Sequence, residues 1–575
     1  MCGIFGGIGI SEQEALIALE NIRRGDDGIT VRTYGEVVLG SRRHLVKDSG
    51  KAGVPEGQSD QPYDSGVRPV SLVFNGEFFN FAEHKTHHLA GSSFTTTGDT
   101  EVFLKLYEAD GIDFLKRRDI DAMFALGILD RDQRKLYVTR DWPGRVPLFY
   151  YYDRESRTFL FSSQLSGLLT LDRVDLNEAQ ELVPGHYLTL DLDTFELKTT
   201  CFYKAEPIKK NQEILEIGRE LHQLLQRSAR NRTMGDVPIC TMLSGGIDSL
   251  MTTYYVLSNI DFGNVSYEPT SYVFSVEGFD SPDIHRARAA AEGFREIGLV
   301  HKEIHATAEQ LVDDLPDIIR LFEMRNIKAL SVYPLPIYYY LAPAMRADGF
   351  KVTIGGHGVD ELLGAYDSWK ELKTPHKVQS GHAARLLFIN NIWENMMRRA
   401  SIIFMERGPI EARFPFLRPG VCEYLLGVDP QWLSISSRNA ELMLELISQR
   451  AGPRDNWGLQ LPWVHDYLVA YVDAGGTRPD GFDEAQHTDV EKLFWKFPLM
   501  VAGMHAAAES FLPFHLLFNA KLRGQHGAGI SALEHRIVEK YADLGGSDIE
   551  IFRAMTAKAF RLRDDWFAKP ARPGR

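Results

Sequence analysis

The sequence predicts an α/β protein with two domains, and three observations support that prediction. The first third of the chain reads as short alternating strands joined by glycine-rich turns. From residue 237 onward, apolar runs of strand length alternate with helix-like segments, a pattern typical of a parallel sheet covered by helices. The polar stretch 203–212 interrupts both patterns, so we expect one domain over residues 1–205 and a second over residues 212–575.

Composition argues against several classes of function. The net charge is −14 and the pI is near 5.7, so the chain lacks the basic footprint of a nucleic-acid-binding protein. No apolar run reaches the roughly 18 residues that a membrane span needs. The four cysteines have neither zinc-site nor CxxC spacing, which is typical of a reducing compartment. We therefore expect a cytoplasmic protein that acts on small molecules.

The N-terminus carries the first chemical signal, the sequence Met1-Cys2-Gly3. If Met1 is removed, Cys2 supplies a thiol and also an α-amine, which titrates near pH ~8 and can act as the base for that thiol. Further on, a buried strand runs into a predicted turn at Asn75-Gly76-Glu77, a pair of residues that is also typical of a plain hairpin. Asp99 then offers a carboxylate at the start of the amphipathic segment Glu101–Glu108.

Together these segments resemble the N-terminal-nucleophile glutaminase domain of class II glutamine amidotransferases, most closely that of the asparagine synthetase family. The resemblance implies a four-layer αββα fold in which Cys2 attacks the side-chain amide of glutamine. It also implies an oxyanion hole made by the Asn75 side chain and the Gly76 backbone N–H. The glutamine carboxylate and amine would be bound by Arg43 and Asp99, with Glu77 close by.

Two segments of this region depart from the family pattern. The usual RGPD-type loop reads Arg24-Gly25-Asp26-Asp27-Gly28, without the proline, and the residues after Arg43 read His44-Leu45-Val46. Neither change touches the nucleophile, but both affect the expected shape of the glutamine pocket.

The second chemical signal is the loop Ser244–Ser249, which reads Ser-Gly-Gly-Ile-Asp-Ser between the strand-like Pro238–Leu243 and the helix-like Leu250–Leu257. A Ser/Gly loop that opens a helix is an anion cradle, and Asp248 within it indicates that a cation accompanies the anion. The loop resembles the pyrophosphate loop of ATP pyrophosphatases, which have an adenine-nucleotide-α-hydrolase-like fold and cleave ATP to AMP and pyrophosphate.

A second glycine-rich loop, Gly355–Glu361, resembles the GxGxDE loop of the same family. The resemblance implies that Asp248 and Asp360 hold Mg²⁺, since this ion binds one or two carboxylates together with phosphate oxygens. Glu361 is then expected to be a structural carboxylate at the start of a helix. The residues expected to bind ATP are Leu243, Ser244, Gly245, Gly246, Asp248, Ser249, Val276, Gly355 and Gly356.

The alternation of strands and helices continues between these two loops. Thr270–Val276 and Val300–His305 read as strands, and Asp283–Glu296 reads as a helix. This order predicts a doubly wound parallel sheet with its ligand loops at the carboxyl ends of the strands.

The acceptor substrate is expected to differ from free aspartate. His357 stands where asparagine synthetases usually have an acidic residue and β-lactam synthetases a tyrosine, and it suits either a general base or a merely structural position. Arg418 replaces the aspartate of the family's EARxPFLD segment. Near the C-terminus, Phe511–Leu522 and Gly527-Ala528-Gly529 resemble the LP…NRxK…GxG segment of the synthetase family, which implies that Lys521 contacts the reacting carboxylate. Within this segment, Lys521-Leu522 and the Gly-x-Gly resemble β-lactam and carbapenam synthetases more than asparagine synthetase. Segment 450–489 matches no family block.

These features predict a glutamine-dependent ligase that consumes ATP and Mg²⁺ and converts a carboxylic acid to an amide through an acyl-adenylate. Two alternatives stay open: an asparagine synthetase proper, and a β-lactam-synthetase-like enzyme that closes an intramolecular amide. The family often dimerises, so a homodimer is one expectation. The sequence does not identify the acceptor acid.

Overall fold

The first domain consists of two stacked antiparallel sheets. The computed structural model of the protein describes residues 1–47, 60–208, 212–261, 263–323, 327, 332–366, 378–397, 399–458, 460–519 and 524–567. The strands of the first domain are β1 (Gly3–Ile8), β2 (Ile29–Tyr34), β3 (Val37–Arg42), β4 (Tyr63–Asp64), β5 (Val70–Phe78), β6 (Ala122–Asp130), β7 (Lys135–Arg140), β8 (Phe149–Asp153), β9 (Thr158–Ser162), β10 (Gln180–Glu181), β11 (His186–Asp191) and β12 (Leu197–Cys201). They form sheets of order β10-β8-β9-β1-β3-β2 and β12-β11-β7-β6-β5-β4.

Helices cover the outer faces of both sheets. The helices of this domain are α1 (Glu12–Asn21), α2 (Phe81–Thr86), α3 (Thr100–Asp110) and α4 (Leu165–Leu168). Apolar side chains of α1 and α4 pack on the first sheet, and those of α3 pack on the second. Side chains such as Ile4 and Val73 fill the space between the sheets. The predicted αββα arrangement is therefore confirmed.

The turn predicted at Asn75-Gly76 is wrong, because both residues lie inside β5. Asn75 pairs with Ala125 and Gly76 with Phe124 on β6, so the strand continues without a hairpin to Phe78. Gly76 has φ +146°, and a Cβ built on it would lie only 1.9 Å from the Met123 carbonyl oxygen. The glycine is required because β6 approaches the backbone closely at this position.

The second domain is built on a five-stranded parallel sheet. Its strands are β13 (Ile239–Met242), β14 (Thr270–Val276), β15 (Val300–Ala306), β16 (Val352–Ile354) and β17 (Glu411–Arg413), in the order β15-β14-β13-β16-β17. The chain winds outward from β13 in both directions, which makes the carboxyl end of β13 a topological switch point. The loop Ser244–Ser249 follows β13, as the sequence predicted for a ligand loop.

Helices surround this sheet. Their bounds are α5 (Ile214–Arg232), α6 (Ile247–Leu257), α7 (Pro282–Gly293), α8 (Ala308–Asp313), α9 (Leu315–Arg320), α10 (Leu335–Ala347), α11 (Val359–Leu363), α12 (Val378–Asn390), α13 (Phe404–Arg407), α14 (Pro419–Gly427), α15 (Ser437–Arg450), α16 (Leu461–Asp473), α17 (Glu484–Trp495), α18 (Phe497–Glu509), α19 (Gly524–Gly527), α20 (Glu534–Lys540) and α21 (Asp548–Phe560). Across the described ranges, no helix has the length and apolarity to cross a membrane.

Candidate active sites

The first site is a pocket, partly open to solvent, at Cys2, directly before β1. Four of the residues predicted to handle glutamine line the same pocket: Arg43, Gly76, Glu77 and Asp99. They come from β5 and from the segments that follow β3 and precede α3. Stacking of the two sheets brings these segments together around one thiol.

The Cys2 thiol is buried and accepts a hydrogen bond from the backbone N–H of His44, with the nitrogen 3.4 Å from Sγ. Burial raises the pKa of this thiol, and the neighbouring α-amine lowers it in part. A buried thiol of this kind needs a nearby base to become a nucleophile.

Asn75 does not line the pocket. Its side chain is fully buried, and its Nδ2 donates to Ser163 Oγ at 3.1 Å. The amide nitrogen carries a second hydrogen. Gly76 lines the pocket, but Asn75 does not, and the role of Asn75 in an oxyanion hole stays a prediction.

Two carboxyl groups of this pocket have raised pKa values. Burial raises the pKa of Asp99 to about 6, and its carboxylate accepts a hydrogen bond from Phe78 N at 2.8 Å. Burial, together with the Glu411 carboxylate, raises the pKa of Glu77 well above its usual value. Arg43 is paired with Asp60. An incoming amino acid with an ammonium group would favour the ionised form of Asp99.

Met1 lies between this pocket and the second domain and is only 1% exposed. Its α-amine contacts the Glu411 carboxylate of β17 at 2.5 Å. Its sulfur lies 3.6 Å from a guanidinium nitrogen of Arg24 and 3.8 Å from Ser401 Oγ. Removal of Met1 would therefore open space that reaches from Cys2 to β17.

The second site lies at the carboxyl end of β13. Ser249 Oγ accepts from the Ser244 backbone N–H at 3.2 Å and donates to the Gly246 carbonyl at 2.9 Å, which fixes the loop. Gly245 has φ +76°, and a Cβ on it would lie 2.3 Å from the backbone of Arg286. Gly246 precedes α6, so the loop opens the N-terminus of a helix, as an anion site requires.

The loop Gly355–Glu361 packs directly against the first loop. A Cβ on Gly356 would lie 2.6 Å from the carbonyl oxygen of Asp248. Glu361 is buried and accepts a hydrogen bond from Tyr366, in agreement with a structural role. Among the other predicted ATP-binding residues, the Leu243 side chain is fully buried and Val276 is 5% exposed, so a nucleotide could meet mainly their backbone.

A residue that the sequence analysis missed joins the two loops. The Lys496 ammonium contacts both Asp248 and Asp360, the latter at 2.6 Å, and its side chain is 3% exposed. Lys496 lies between α17 and α18, in the apolar run Phe494-Trp495-Lys496-Phe497. A lone lysine in such a run was the available signal, since a buried lysine requires a partner.

The donor set fits the predicted magnesium ion. Asp248 and Asp360 converge on one cationic nitrogen, so a single cation can meet both carboxylates. Two carboxylates with phosphate oxygens are a set that Mg²⁺ accepts. Asp248 and Asp360 would hold the ion, and Lys496 would share its charge with the phosphates.

His357 lies in the same loop, Gly355–Glu361, as Asp360, after β16. Its Nε2 lies 2.8 Å from Tyr338 Oη of α10, and its ring packs edge-on against Phe414 with centroids 4.9 Å apart. No sequence motif marks Tyr338 as a residue of this site.

The predicted Lys521 lies outside the described residues, but the residues on both sides of it contact the predicted ATP-binding residues. Asn519 Nδ2 donates to the Gly245 carbonyl at 3.3 Å. On the other side, the Ala528 carbonyl accepts from Val276 N at 2.9 Å. The role of Lys521 stays a prediction.

Arg418 does not support the inference about the acceptor. Its guanidinium lies 3.5 Å from Asp121 of the first domain, and Asp121 also forms a buried ion pair with Arg232 of α5. The substitution at Arg418 thus belongs to the contact between the domains. The unmatched segment 450–489 forms α16 and the start of α17, which leads to Lys496.

Comparisons with known proteins agree with this two-site arrangement. A family model described as glutamine amidotransferase domain matches residues 1–212, and one described as asparagine synthase matches residues 220–401. Asparagine synthetase B of Escherichia coli is 27% identical over 445 residues, covering 75% of this chain and 76% of the relative. Asparagine synthetase 2 of Oryza sativa is 25% identical, covering 76% of this chain and 71% of the relative.

Proposed function

As a member of the asparagine synthase family, this chain is a glutamine-hydrolysing carbon–nitrogen ligase, and we propose that it amidates a carboxylic acid other than free aspartate. The acceptor would be a specialised-metabolite acid or a peptide carboxylate. The observation that carries this choice is His357, which is hydrogen-bonded to Tyr338 where asparagine synthetases usually have an acidic residue.

Glutamine is hydrolysed at Cys2 in this proposal. After loss of Met1, the α-amine of Cys2 takes the thiol proton, and the sulfur attacks the side-chain amide carbon of glutamine. The backbone N–H of Gly76 faces the developing oxyanion, while Arg43 and Asp99 bind the carboxylate and ammonium of the substrate. The amide nitrogen takes a proton and leaves as ammonia, and water then cleaves the thioester to glutamate.

A short passage for ammonia is supported by the position of Met1. The space that Met1 fills runs from Cys2 to Glu411, where β17 begins. Phe414 follows β17 directly and contacts His357. The three-residue strand β17, about 10 Å long, therefore lies between the space that Met1 fills and His357. Transfer through the interior would keep ammonia from being protonated in bulk water.

The acid is activated at the second site. Its carboxylate attacks the α-phosphorus of ATP, pyrophosphate leaves, and ammonia then displaces AMP from the acyl-adenylate. The loop Ser244–Ser249 is proposed to bind the phosphates through its backbone N–H groups. Mg²⁺, when bound, would offset phosphate charge, and the Lys496 ammonium would stabilise the departing pyrophosphate. The His357 imidazole would accept the proton that the attacking ammonia loses.

The test combines two assays. Glutamate release by the wild type and by Cys2→Ala measures the first site, and pyrophosphate release is screened over aspartate, other amino acids, small carboxylic acids and acidic peptides. We expect Cys2-dependent glutamate release, with the strongest pyrophosphate signal from an acid other than aspartate. Asparagine formation at ordinary turnover would refute the acceptor proposal.

A β-lactam-synthetase-like reaction is the second candidate. The sequence Lys521-Leu522 and the non-acidic His357 favour it. The glutamine pocket around Cys2, Arg43 and Asp99 speaks against it, since an intramolecular ligase has no use for ammonia. Pyrophosphate release without glutamine hydrolysis would support this alternative.

A further inference from the structure

The two departures from the family pattern in the first domain lie together in space. Ligand atoms of Asp26, Asp27 and His44 all lie within 4.8 Å of one another. Such a cluster has the composition of a cation site. In this structure, however, the cations that face the two carboxylates are side chains of the second domain.

Two ion pairs join this cluster to the second domain. Arg346, near the end of α10, contacts Asp26 at 2.5 Å. Lys351, directly before β16, lies 2.9 Å from both carboxylate oxygens of Asp27. The Lys351 and Asp27 side chains are only 17% and 25% exposed, so this pair is partly shielded from solvent.

Asp27 in turn holds the segment that follows β3. Its Oδ2 accepts from the Leu45 backbone N–H at 2.6 Å, and its own N–H donates to the Arg43 carbonyl at 3.1 Å. Lys351 Nζ also donates to the Leu45 carbonyl at 3.3 Å. The backbone before His44 is therefore held by the Asp27 N–H, and the backbone after it by the Asp27 carboxylate and the Lys351 ammonium.

The segment Arg43–Leu45 contributes two groups to the glutamine pocket. Arg43 lines the pocket, and the His44 N–H donates to the Cys2 sulfur. Burial lowers the pKa of His44 to about 4, so its ring adds no charge at neutral pH. The two ion pairs thus link this segment to the second domain, beside a third pair further along the segment, Lys47 to Asp236 at 2.6 Å.

The opposite end of the link lies beside the second site. The Lys351 carbonyl accepts from the Glu411 N–H at 2.8 Å, at the start of β17. From Lys351, β16 runs directly to Gly355 and His357, and Arg346 shares α10 with Tyr338.

We propose that Lys351, supported by Arg346, is a positioning residue for glutamine hydrolysis that the synthetase domain supplies to the glutaminase domain. It acts through Asp27 on the backbone of Arg43 and His44, and so sets the geometry of the glutamine carboxylate and of the thiol. This inference rests on the proposed glutaminase activity at Cys2.

The test separates the two half-reactions. Lys351→Met keeps the aliphatic stem and removes the charge, and we expect kcat/KM for glutamine hydrolysis to fall roughly 10- to 100-fold, mainly through KM. Amide formation from ammonium salts should stay within about twofold, because the second site keeps its residues. Lys351→Arg should recover most of the loss, since a guanidinium can also pair with Asp27.

Arg227→Met is the matched control. It breaks another ion pair between the domains, Arg227 to Glu83 at 3.0 Å, away from the Cys2 pocket, and should leave the glutamine KM unchanged. An unchanged glutamine KM in Lys351→Met would overturn the proposal, and so would an equal loss of glutamine- and ammonia-dependent activity. Absence of glutamate release by the wild type would instead refute the proposed function.

Discussion

Replacement of Lys496 by methionine tests the architecture of the second site most directly. In the wild type, its buried ammonium contacts Asp248 and Asp360, whose side chains are only 8% and 15% exposed. Lys496→Met removes the ammonium that contacts both of these largely buried carboxylates. Removal of one partner from such a group costs about 3–5 kcal/mol. For the synthetase domain this corresponds to a Tm lower by about 5 °C or more.

The loss should depend on the cation present. Thermal unfolding is measured for wild type and Lys496→Met in EDTA and in Mg²⁺ with ATP, because a bound cation can replace the missing ammonium between the two carboxylates. We expect Mg²⁺ to restore part of the lost Tm in the variant, while pyrophosphate release falls at least about 100-fold. Lys492→Met is the control, since Lys492 lies on α17 and pairs with Asp489 at 3.7 Å near the surface. An unchanged Tm together with wild-type pyrophosphate release would refute the reasoning.

Three further predictions concern the two half-reactions. Gly76→Ala places a Cβ 1.9 Å from the Met123 carbonyl oxygen, so glutaminase activity should fall at least about 100-fold while ammonia-dependent synthesis remains. A kcat/KM for glutamine equal to that of the wild type would contradict this. Burial raises the pKa of Asp99 to about 6, so its carboxylate loses its charge as the pH falls through 6. We expect kcat/KM for glutamine to decline in that range, and a flat pH profile down to pH about 4.5 would argue against a role for Asp99. Tyr338→Phe removes the hydrogen bond to His357, so amide formation should fall about tenfold with glutamine hydrolysis unchanged, and a loss of both would indicate a packing effect.

Local sequence was enough for the parts of the fold that depend on contiguous residues. The strand Thr270–Val276 has the predicted bounds, and the anion loop Ser244–Ser249 lies between a strand and a helix as expected. A strand, a turn and the first helical turn are formed by neighbours in the chain, so their residue types reveal them. The turn expected at Asn75-Gly76 was wrong because a distant strand, β6, pairs with both residues and overrides the local preference.

Short segments with fixed spacing were enough to indicate the asparagine synthase family and the α/β fold, and they also propose the residues of both sites. The folded chain was needed to show that Lys496 joins Asp248 to Asp360, that Arg418 faces Asp121, and that Lys351 reaches Asp27. These contacts connect residues more than a hundred positions apart, and their partners are chosen by how sheets and helices pack. A charged residue in an apolar segment indicates that it needs a partner once it is buried, but the packing of the folded chain determines which partner it meets.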